Sequence, residues 1–217
     1  MFGPDSSMTE HTGTTILAIQ CTDGVVMAAD SRSTMGQYVS SRASNKITPL
    51  SPTVYIARTG TTAHTQTLGK YAKYALNIVK MNTERDVNHQ VSIAAHHLSR
   101  LIQNNKEMLS AGFICAGCDS DGPAVWEISV SGMALKRKFA ANGSGSAYIT
   151  AYCDDNCQED FTMEQATEFA ISAVNNAIVR DGASGGFINV VQINSEGAKR
   201  LLVMPKDQPF DYRIVKT

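Results

Sequence analysis

The order of strand-like and helix-like segments constrains the fold of this chain more than any other feature of its sequence. Alternating apolar residues predict strands, and apolar residues at helical spacing predict helices. The predicted strands lie at 14–21, 25–29, 34–41, 53–57, 112–117, 123–130, 134–140, 187–193 and 199–204. The predicted helices lie at 63–81, at 91–108, at 147–154, and from a cap at 162 to residue 180.

Two helical blocks separated by antiparallel strands predict an α+β fold. The expected architecture is a four-layer αββα sandwich, in which helices flank two packed antiparallel sheets. Residues 22–24 are predicted to turn the first two strands into a hairpin. Residues 58–62 are predicted to form a loop that leads into the first helix, and Thr162 with Gln165 predicts a capping box.

Size and charge narrow the class of protein. A chain of 217 residues is predicted to form one domain. Its net charge of -1 gives no electrostatic reason to expect binding to nucleic acid or to an anionic membrane. Charged residues make up only 18%, and since interface cores are depleted of charge, partners are expected to cover part of the surface.

The five cysteines are predicted to be buried free thiols in a reducing compartment. The alternative is a zinc site formed by Cys115, Cys118, Cys153 and Cys157. Against it, residues 113–118 are typical of a strand, in which Cys115 and Cys118 would point to opposite faces. Neither a metal nor a cofactor is therefore expected.

Residues 1–13 form a short polar leader without the apolar stretch of a signal peptide or membrane anchor. No later window has the length and apolar character of a membrane span. We expect a soluble, intracellular chain whose tail, from Pro205 onward, is polar and irregular.

Gly13 and Thr14 suggest a nucleophile at the junction between this leader and the first strand. If the chain is cut after Gly13, Thr14 carries both a hydroxyl and a free α-amine, and such an amine can activate the hydroxyl. An α-amine titrates near about 7.7–8.0, close to the pH that favours a general base. Alone, a Gly-Thr-Thr sequence is more often a turn before a strand.

Several short motifs downstream of Thr14 favour a nucleophile over a simple turn, because of their joint order and spacing. They are Ala28-Ala29-Asp30-Ser31-Arg32, Ser44-Asn45-Lys46-Ile47, Arg58-Thr59-Gly60, Gly143-Ser144-Gly145-Ser146 and Arg180-Asp181-Gly182-Ala183-Ser184-Gly185-Gly186. With them, residues 14–205 resemble a catalytic beta subunit of the 20S proteasome, in the N-terminal nucleophile hydrolase class. The resemblance implies that fold and a threonine endopeptidase activity.

The resemblance also implies a role for each matching position. Thr14 would be the nucleophile, freed when the precursor cuts its own Gly13–Thr14 bond, and Asp30 and Lys46 would be the buried pair beneath it. Gly60 would donate its backbone N–H to the oxyanion. Ser144, Asp181 and Ser184 would surround the free amine.

Arg58 matches the residue at the floor of the primary specificity pocket, and a basic residue there implies the caspase-like beta type. A guanidinium pairs well with a substrate carboxylate, so cleavage after acidic residues is expected. Ser33, Ser44 and Thr62 would line the same pocket. Thr62 departs from the small alanine that the resemblance implies.

The resemblance further implies a leader at 1–13 that is removed, a hydrolase domain at 14–205 and a C-terminal tail at 206–217. The expected partners are other alpha and beta subunits in stacked heptameric rings and unfolded polypeptide substrates, in cytoplasm and nucleus. Two alternatives stay open. One is a non-catalytic subunit of the same ring, and the other is a small-molecule amidase of the same nucleophile class.

Overall fold

Two five-stranded antiparallel sheets pack face to face, and helices cover the outer surface of each sheet. This computed structural model describes residues 13–36, 38–82, 90–158 and 160–204. Residues 1–12 of the predicted leader and the whole predicted tail lie outside the described residues. The four-layer αββα sandwich expected from the segment order is confirmed.

Twelve strands and four helices are described along the chain. The first half contains β1 (Ile16–Cys21), β2 (Gly24–Asp30), β3 (Ser33–Met35), β4 (Tyr38–Ser41), β5 (Ile47–Pro49), β6 (Val54–Gly60), α1 (Thr62–Asn82) and α2 (Gln90–Asn104). The second half contains β7 (Ala111–Asp119), β8 (Gly122–Ile128), β9 (Ala134–Arg137), β10 (Phe139–Asn142), α3 (Ser146–Asn156), α4 (Met163–Arg180), β11 (Ile188–Asn194) and β12 (Gly197–Val203).

The first sheet has the strand order β10-β1-β2-β11-β12, and the second has the order β5-β6-β7-β8-β9. Both faces of the central strands are buried, so their sequences are nearly continuous apolar runs. Along β1, Leu17 and Ile19 pack beneath α3 and α4, whereas Ile16 and Ala18 face the second sheet. The period-2 alternation of a strand thus divides its side chains between two apolar layers.

Two predicted strands are divided in the structure. The segment 34–41 folds into the hairpin β3–β4, because Gly36 adopts a φ of 60° that reverses the chain. The segment 134–140 changes sheets: β9 pairs with β8, and β10 pairs with β1. Hydrophobic alternation reports burial on one face, and here it does not distinguish between the two sheets.

Two further boundaries differ from prediction. Residues 58–60 continue β6 rather than forming a loop, because Arg58 and Gly60 pair with Phe113 and Ala111 of β7. The second helix ends at Asn104, four residues before the predicted end. The capping box at Thr162 and Gln165 is confirmed. None of the described helices combines the length and apolar character needed to cross a bilayer.

A substitution at Leu98 tests how α2 packs on the second sheet. The Leu98 side chain is 0% exposed and points from α2 into the apolar cluster over that sheet. We expect Leu98→Ala to lower the free energy of unfolding by about 2–5 kcal/mol, from lost burial and the cavity that remains. The matched control is Leu202→Ala on β12, where the side chain is 56% exposed and the loss should be under about 1 kcal/mol. Urea unfolding of the two variants measures both values, and equal losses would contradict this packing.

Candidate active site

Strand register brings four chain segments together at one end of the strands of the first sheet. Ile16 pairs with Ala29 on one side and with Asn142 on the other. Asp30, the last residue of β2, pairs with Ile188 at the start of β11. The residues just before β1, at the end of β2, just after β10 and just before β11 are therefore neighbours.

The second sheet adds two more segments at the same end of the sandwich. Lys46 directly precedes β5, and Gly60 ends the adjacent strand β6. The Arg58 N–H donates to the Lys46 carbonyl at 3.0 Å, which continues the pairing of these strands past Ile47. The site consequently lies where the two sheets face each other.

Lys46 and Asp30 form a buried ion pair across the two sheets, with Nζ 2.6 Å from Oδ1. Asp30 is fully buried and also accepts backbone N–H groups from Thr15 at 2.9 Å, Gly185 at 3.0 Å and Arg32 at 3.2 Å. Burial lowers the pKa of Lys46, and the charge and hydrogen bond of Asp30 oppose that decrease. The carboxylate therefore favours the charged ammonium in a largely dry environment.

The Thr14 hydroxyl and the Lys46 ammonium converge on the carbonyl of Gly13. Thr14 Oγ1 donates to this oxygen at 2.7 Å, and Lys46 Nζ donates to it at 3.0 Å. A hydroxyl group and a cation that can stabilise negative charge on oxygen thus both contact the Gly13–Thr14 peptide unit.

A hydroxyl–carboxylate network lies on the other side of Thr14. The backbone N–H of Thr14 donates to Ser144 Oγ at 3.1 Å, and Ser144 Oγ in turn donates to the Asp181 carboxylate at 2.7 Å. Ser184 donates to the same carboxylate oxygen at 2.7 Å. Because the Ser184 hydroxyl proton is already donated to Asp181, Thr15 Oγ1 is the donor in its 2.7 Å contact with Ser184 Oγ.

Asp181 is held as a carboxylate by these partners. Burial alone would raise its pKa, but hydrogen bonds from Ser144, Ser184 and the Ala183 N–H, with the charge of Lys46, lower the pKa below its usual range. An ionised Asp181 keeps both serine hydroxyls pointed toward itself, which leaves the Ser144 oxygen free to accept from the Thr14 nitrogen.

Every residue predicted for the specificity pocket lines a cavity of about 20 Å³ beside Thr14. Arg58 lies at this cavity, and its Nη2 donates to the Asn45 carbonyl at 2.6 Å. Within the described part of the chain its buried Nε has no hydrogen-bond partner, and burial lowers its pKa. The cavity is lined by Gly13, Thr14, Arg32, Ser33, Ser44, Lys46, Arg58, Gly60, Thr62 and Thr65.

The structure thus gathers all the predicted site residues at one end of the sandwich, while their chemical roles stay predictions. Sequence reasoning missed Thr15, whose N–H and hydroxyl connect Asp30 to Ser184. It also missed Arg32, whose Nη1 donates to the Gly182 carbonyl at 2.9 Å and supports the loop before β11. The position of Arg32 two residues after Asp30 was the available signal.

The cysteines lie away from this site. Cys115 contacts the Val91 carbonyl of α2, whereas Cys118 contacts the Ile193 carbonyl of the other sheet, so their side chains occupy opposite faces of β7. Burial raises the pKa of Cys118 to about 11 and that of Cys153 to about 12. The described residues contain no cluster of three or more potential metal ligands.

Comparison with known proteins identifies similar chains. A family profile described as "Proteasome subunit" matches residues 10–193. A Schizosaccharomyces pombe protein named "Probable proteasome subunit beta type-1" is 43% identical over 189 residues, 87% of this chain and 83% of that protein. An Encephalitozoon cuniculi protein of the same name is 42% identical over 195 residues, 90% and 94% of the two chains. "Proteasome subunit beta type-6" of Arabidopsis thaliana is 39% identical over 193 residues, covering 87% and 80%.

Gly60 allows a test of the backbone at this site. It has a φ of 98°, and a Cβ there would lie 2.5 Å from the Ser110 carbonyl oxygen. We expect Gly60→Ala to lower the free energy of unfolding by more than the roughly 1–3 kcal/mol of an unfavourable φ alone.

The matched control for this change is Gly122→Ala. Gly122 has a φ of 90° but no atom within 4 Å of the added Cβ. Gly122→Ala should therefore show the free-energy cost of the unfavourable φ without the cost of a steric clash. Urea unfolding midpoints measure the difference, and a smaller loss at Gly60 than at Gly122 would contradict the described contact with Ser110.

Proposed function

We propose that this chain, which belongs to the proteasome beta-subunit family, is a catalytic threonine endopeptidase subunit of the 20S core. The observation that carries the proposal is the convergence of the Thr14 hydroxyl and the Lys46 ammonium on the Gly13 carbonyl. A subunit with a purely structural role has no need for a buried ion pair beneath a threonine at the leader junction.

The first proposed reaction is removal of the leader. Thr14 Oγ attacks the Gly13 carbonyl carbon, the carbon–nitrogen bond to Thr14 breaks, and the hydroxyl proton passes to the departing nitrogen. Water then hydrolyses the resulting ester, which restores the hydroxyl and leaves a free α-amine on Thr14. Lys46 stabilises the developing negative charge, since it already donates to that carbonyl oxygen at 3.0 Å.

Hydrolysis of a peptide substrate uses the same groups. The new α-amine of Thr14 takes the hydroxyl proton as general base, and Oγ attacks the substrate carbonyl carbon. The peptide carbon–nitrogen bond then breaks, the leaving nitrogen takes that proton from the α-ammonium, and the acyl part of the substrate remains as an ester on Thr14. Lys46, kept cationic by Asp30 at 2.6 Å, lowers the free energy of the forming alkoxide. The backbone N–H of Gly60 is proposed as the oxyanion donor, a contribution of about 2.7–4 kcal/mol in comparable sites.

Ser144, Asp181 and Ser184 are proposed to hold the free amine and the water that hydrolyses the ester. Ser144 already accepts from the Thr14 nitrogen at 3.1 Å. The lowered pKa of Asp181 keeps this network in one protonation state around neutral pH.

Arg58 is proposed to give the subunit a caspase-like preference for cleavage after acidic residues. A substrate carboxylate that enters the cavity would pair with its guanidinium, whose Nε has no partner among the described residues. Ser33, Ser44 and Thr62 line the same cavity and offer hydroxyl donors without additional charge.

The proposed context is a compartmentalised protease. As a member of a subunit family, the chain assembles with other proteasome subunits in rings. We propose stacked heptameric rings of alpha and beta subunits, unfolded polypeptides as substrates, and ubiquitin-dependent and other protein degradation in cytoplasm and nucleus. The proposed processing divides the chain into a leader at 1–13, a hydrolase domain at 14–205 and a tail at 206–217.

Thr14→Ala and Lys46→Ala test the nucleophile and its cation. In assembled particles, we expect Thr14→Ala to leave the peptide bond after Gly13 uncut and to abolish cleavage by this subunit. Lys46→Ala should do nearly the same, because it removes the cation beside Thr14 and leaves Asp30 without its charged partner. Intact mass and N-terminal sequencing of the subunit report the cut, and the unaltered subunit should begin Thr-Thr-Ile-Leu.

Lys136→Ala is the matched control for the lysine change, since Lys136 is exposed on β9. It should leave both processing and turnover unchanged. Normal turnover and a correct N-terminus in Lys46→Ala would show that the proposed role of Lys46 is wrong. An unaltered chain that keeps its leader in the particle would instead favour the non-catalytic alternative.

Arg58→Met tests the proposed specificity. Arg58→Met removes the guanidinium that would pair with a substrate carboxylate and places an apolar side chain at the pocket. Hydrolysis of fluorogenic peptides ending in Glu should therefore fall, while hydrolysis of those ending in Leu holds or rises. The Glu-to-Leu ratio of kcat/KM is the measure, because discrimination is a difference in transition-state binding. Arg100→Met, at an exposed position on α2, is the control. An unchanged ratio in Arg58→Met would remove the caspase-like assignment.

A further inference from the structure

We propose that Thr15 is a positioning residue for peptide hydrolysis and that it acts through Ser184, an inference that rests on the proposed peptidase function. Thr15 is 0% exposed and Ser184 is 1% exposed. The Thr15 hydroxyl donates to Ser184 Oγ at 2.7 Å, and the Thr15 N–H donates to Asp30 Oδ1 at 2.9 Å. Because Ser184 in turn donates to Asp181 at 2.7 Å, Thr15 connects the two buried carboxylates of the site.

The surroundings of the Thr15 hydroxyl hold it against Ser184. Gly145, which precedes α3, lies so close to the hydroxyl that a Cβ at that position would overlap Thr15 Oγ1. Among the described residues, Ser184 Oγ is the hydrogen-bond partner of this hydroxyl. Ser184 Oγ thus accepts one hydrogen bond and donates another, which uses its donor and fixes the direction of its proton.

Thr15 can influence the reaction only through its neighbours. It lies outside the set of residues that line the cavity beside Thr14, and its side chain is fully buried. It is therefore not expected to touch a substrate. In the proposed reaction Ser184 and Asp181 help to hold the free amine of Thr14 and the water that hydrolyses the ester, so the Thr15 hydroxyl acts on the chemical step by holding Ser184.

The hydroxyl strengthens and orients the hydrogen bond between Ser184 and Asp181. Hydrogen bonds in a chain polarise one another, so a donor on Ser184 Oγ makes the serine O–H a better donor to the carboxylate. Without the Thr15 hydroxyl, Ser184 loses that donor, and its side chain is free to turn away from Asp181. Thr15 keeps its own proton throughout, because the proton that moves passes from Thr14 Oγ to the α-amine and then to the leaving nitrogen.

The test compares Thr15→Ala with Thr15→Ser, since both variants lose the methyl group and only the alanine variant loses the hydroxyl. In assembled particles, kcat and KM for a fluorogenic peptide ending in Glu are measured per subunit that begins at Thr14, as counted by intact mass. Hydrolysis by Thr14→Ala particles is the background. We expect Thr15→Ala to lower kcat about threefold to tenfold at unchanged KM, the factor that one hydrogen bond is worth. Thr15→Ser should retain most of the kcat.

Ser99→Ala is the matched control, because it removes a hydroxyl that is 7% exposed and donates to the Gly132 carbonyl, on α2 and outside the site. It should leave kcat unchanged. If Thr15→Ala does not assemble, Thr15→Val, which keeps the volume of the side chain, takes its place. An alanine variant that keeps its leader while Thr15→Ser is cut also supports the inference, since the same network is proposed to hold the water that hydrolyses the leader ester.

A second substitution, Ser184→Ala, tests whether Thr15 acts through Ser184. In that background Thr15→Ala should lower kcat no further, because residues that act through one contact have non-additive effects. Additive losses, equal kcat in Thr15→Ala and Thr15→Ser, or a change in KM alone would overturn the inference and leave the proposed function intact. If Ser184→Ala alone has normal turnover, the proposed role of Ser184 fails and the inference fails with it. An unaltered chain that is never cut after Gly13 would contradict the proposed function itself.

Discussion

The buried ion pair between Lys46 and Asp30 is the interaction on which the rest of the site depends. Removing both charges from water costs several kcal/mol each, and only close pairing with further hydrogen bonds offsets that penalty. Asp30 meets this condition through three backbone N–H groups, from Thr15, Arg32 and Gly185. The same bonds fix the start of β1, the end of β2 and the loop before β11 around a single carboxylate.

Much of the fold could be predicted because burial on both faces of a strand, or on one face of a helix, leaves a periodic pattern. The layers, the helical blocks and the cap of α4 follow from such local patterns. The sheet change between β9 and β10 does not, since a strand segment is equally apolar in either sheet. Likewise, Arg58 and Gly60 have turn-like neighbours but belong to β6, where pairing with β7 overrides local preference.

The site was predictable as a set of residues and not as a geometry. Motif order suggested which residues converge, and the strand register explains why they do. Distances, the orientation of Ser184 and the convergence of Thr14 and Lys46 on the Gly13 carbonyl depend on tertiary packing that no local pattern encodes. Thr15 was missed because it directly follows Thr14 in the sequence, and only its contact with Ser184 reveals that it supports the site.

The division of the site between the sheets has a consequence for the timing of activation. Thr14 and Asp30 lie at the end of strands of the first sheet, and Lys46 and Gly60 at the end of strands of the second. The apolar layer between the sheets joins these two halves of the site. A nascent chain that has formed only one sheet holds the hydroxyl or the ammonium but cannot bring them together. Under the proposed mechanism, leader removal would act as an internal proofreading step: an incompletely folded chain cannot unmask its amine, and stays harmless to other proteins.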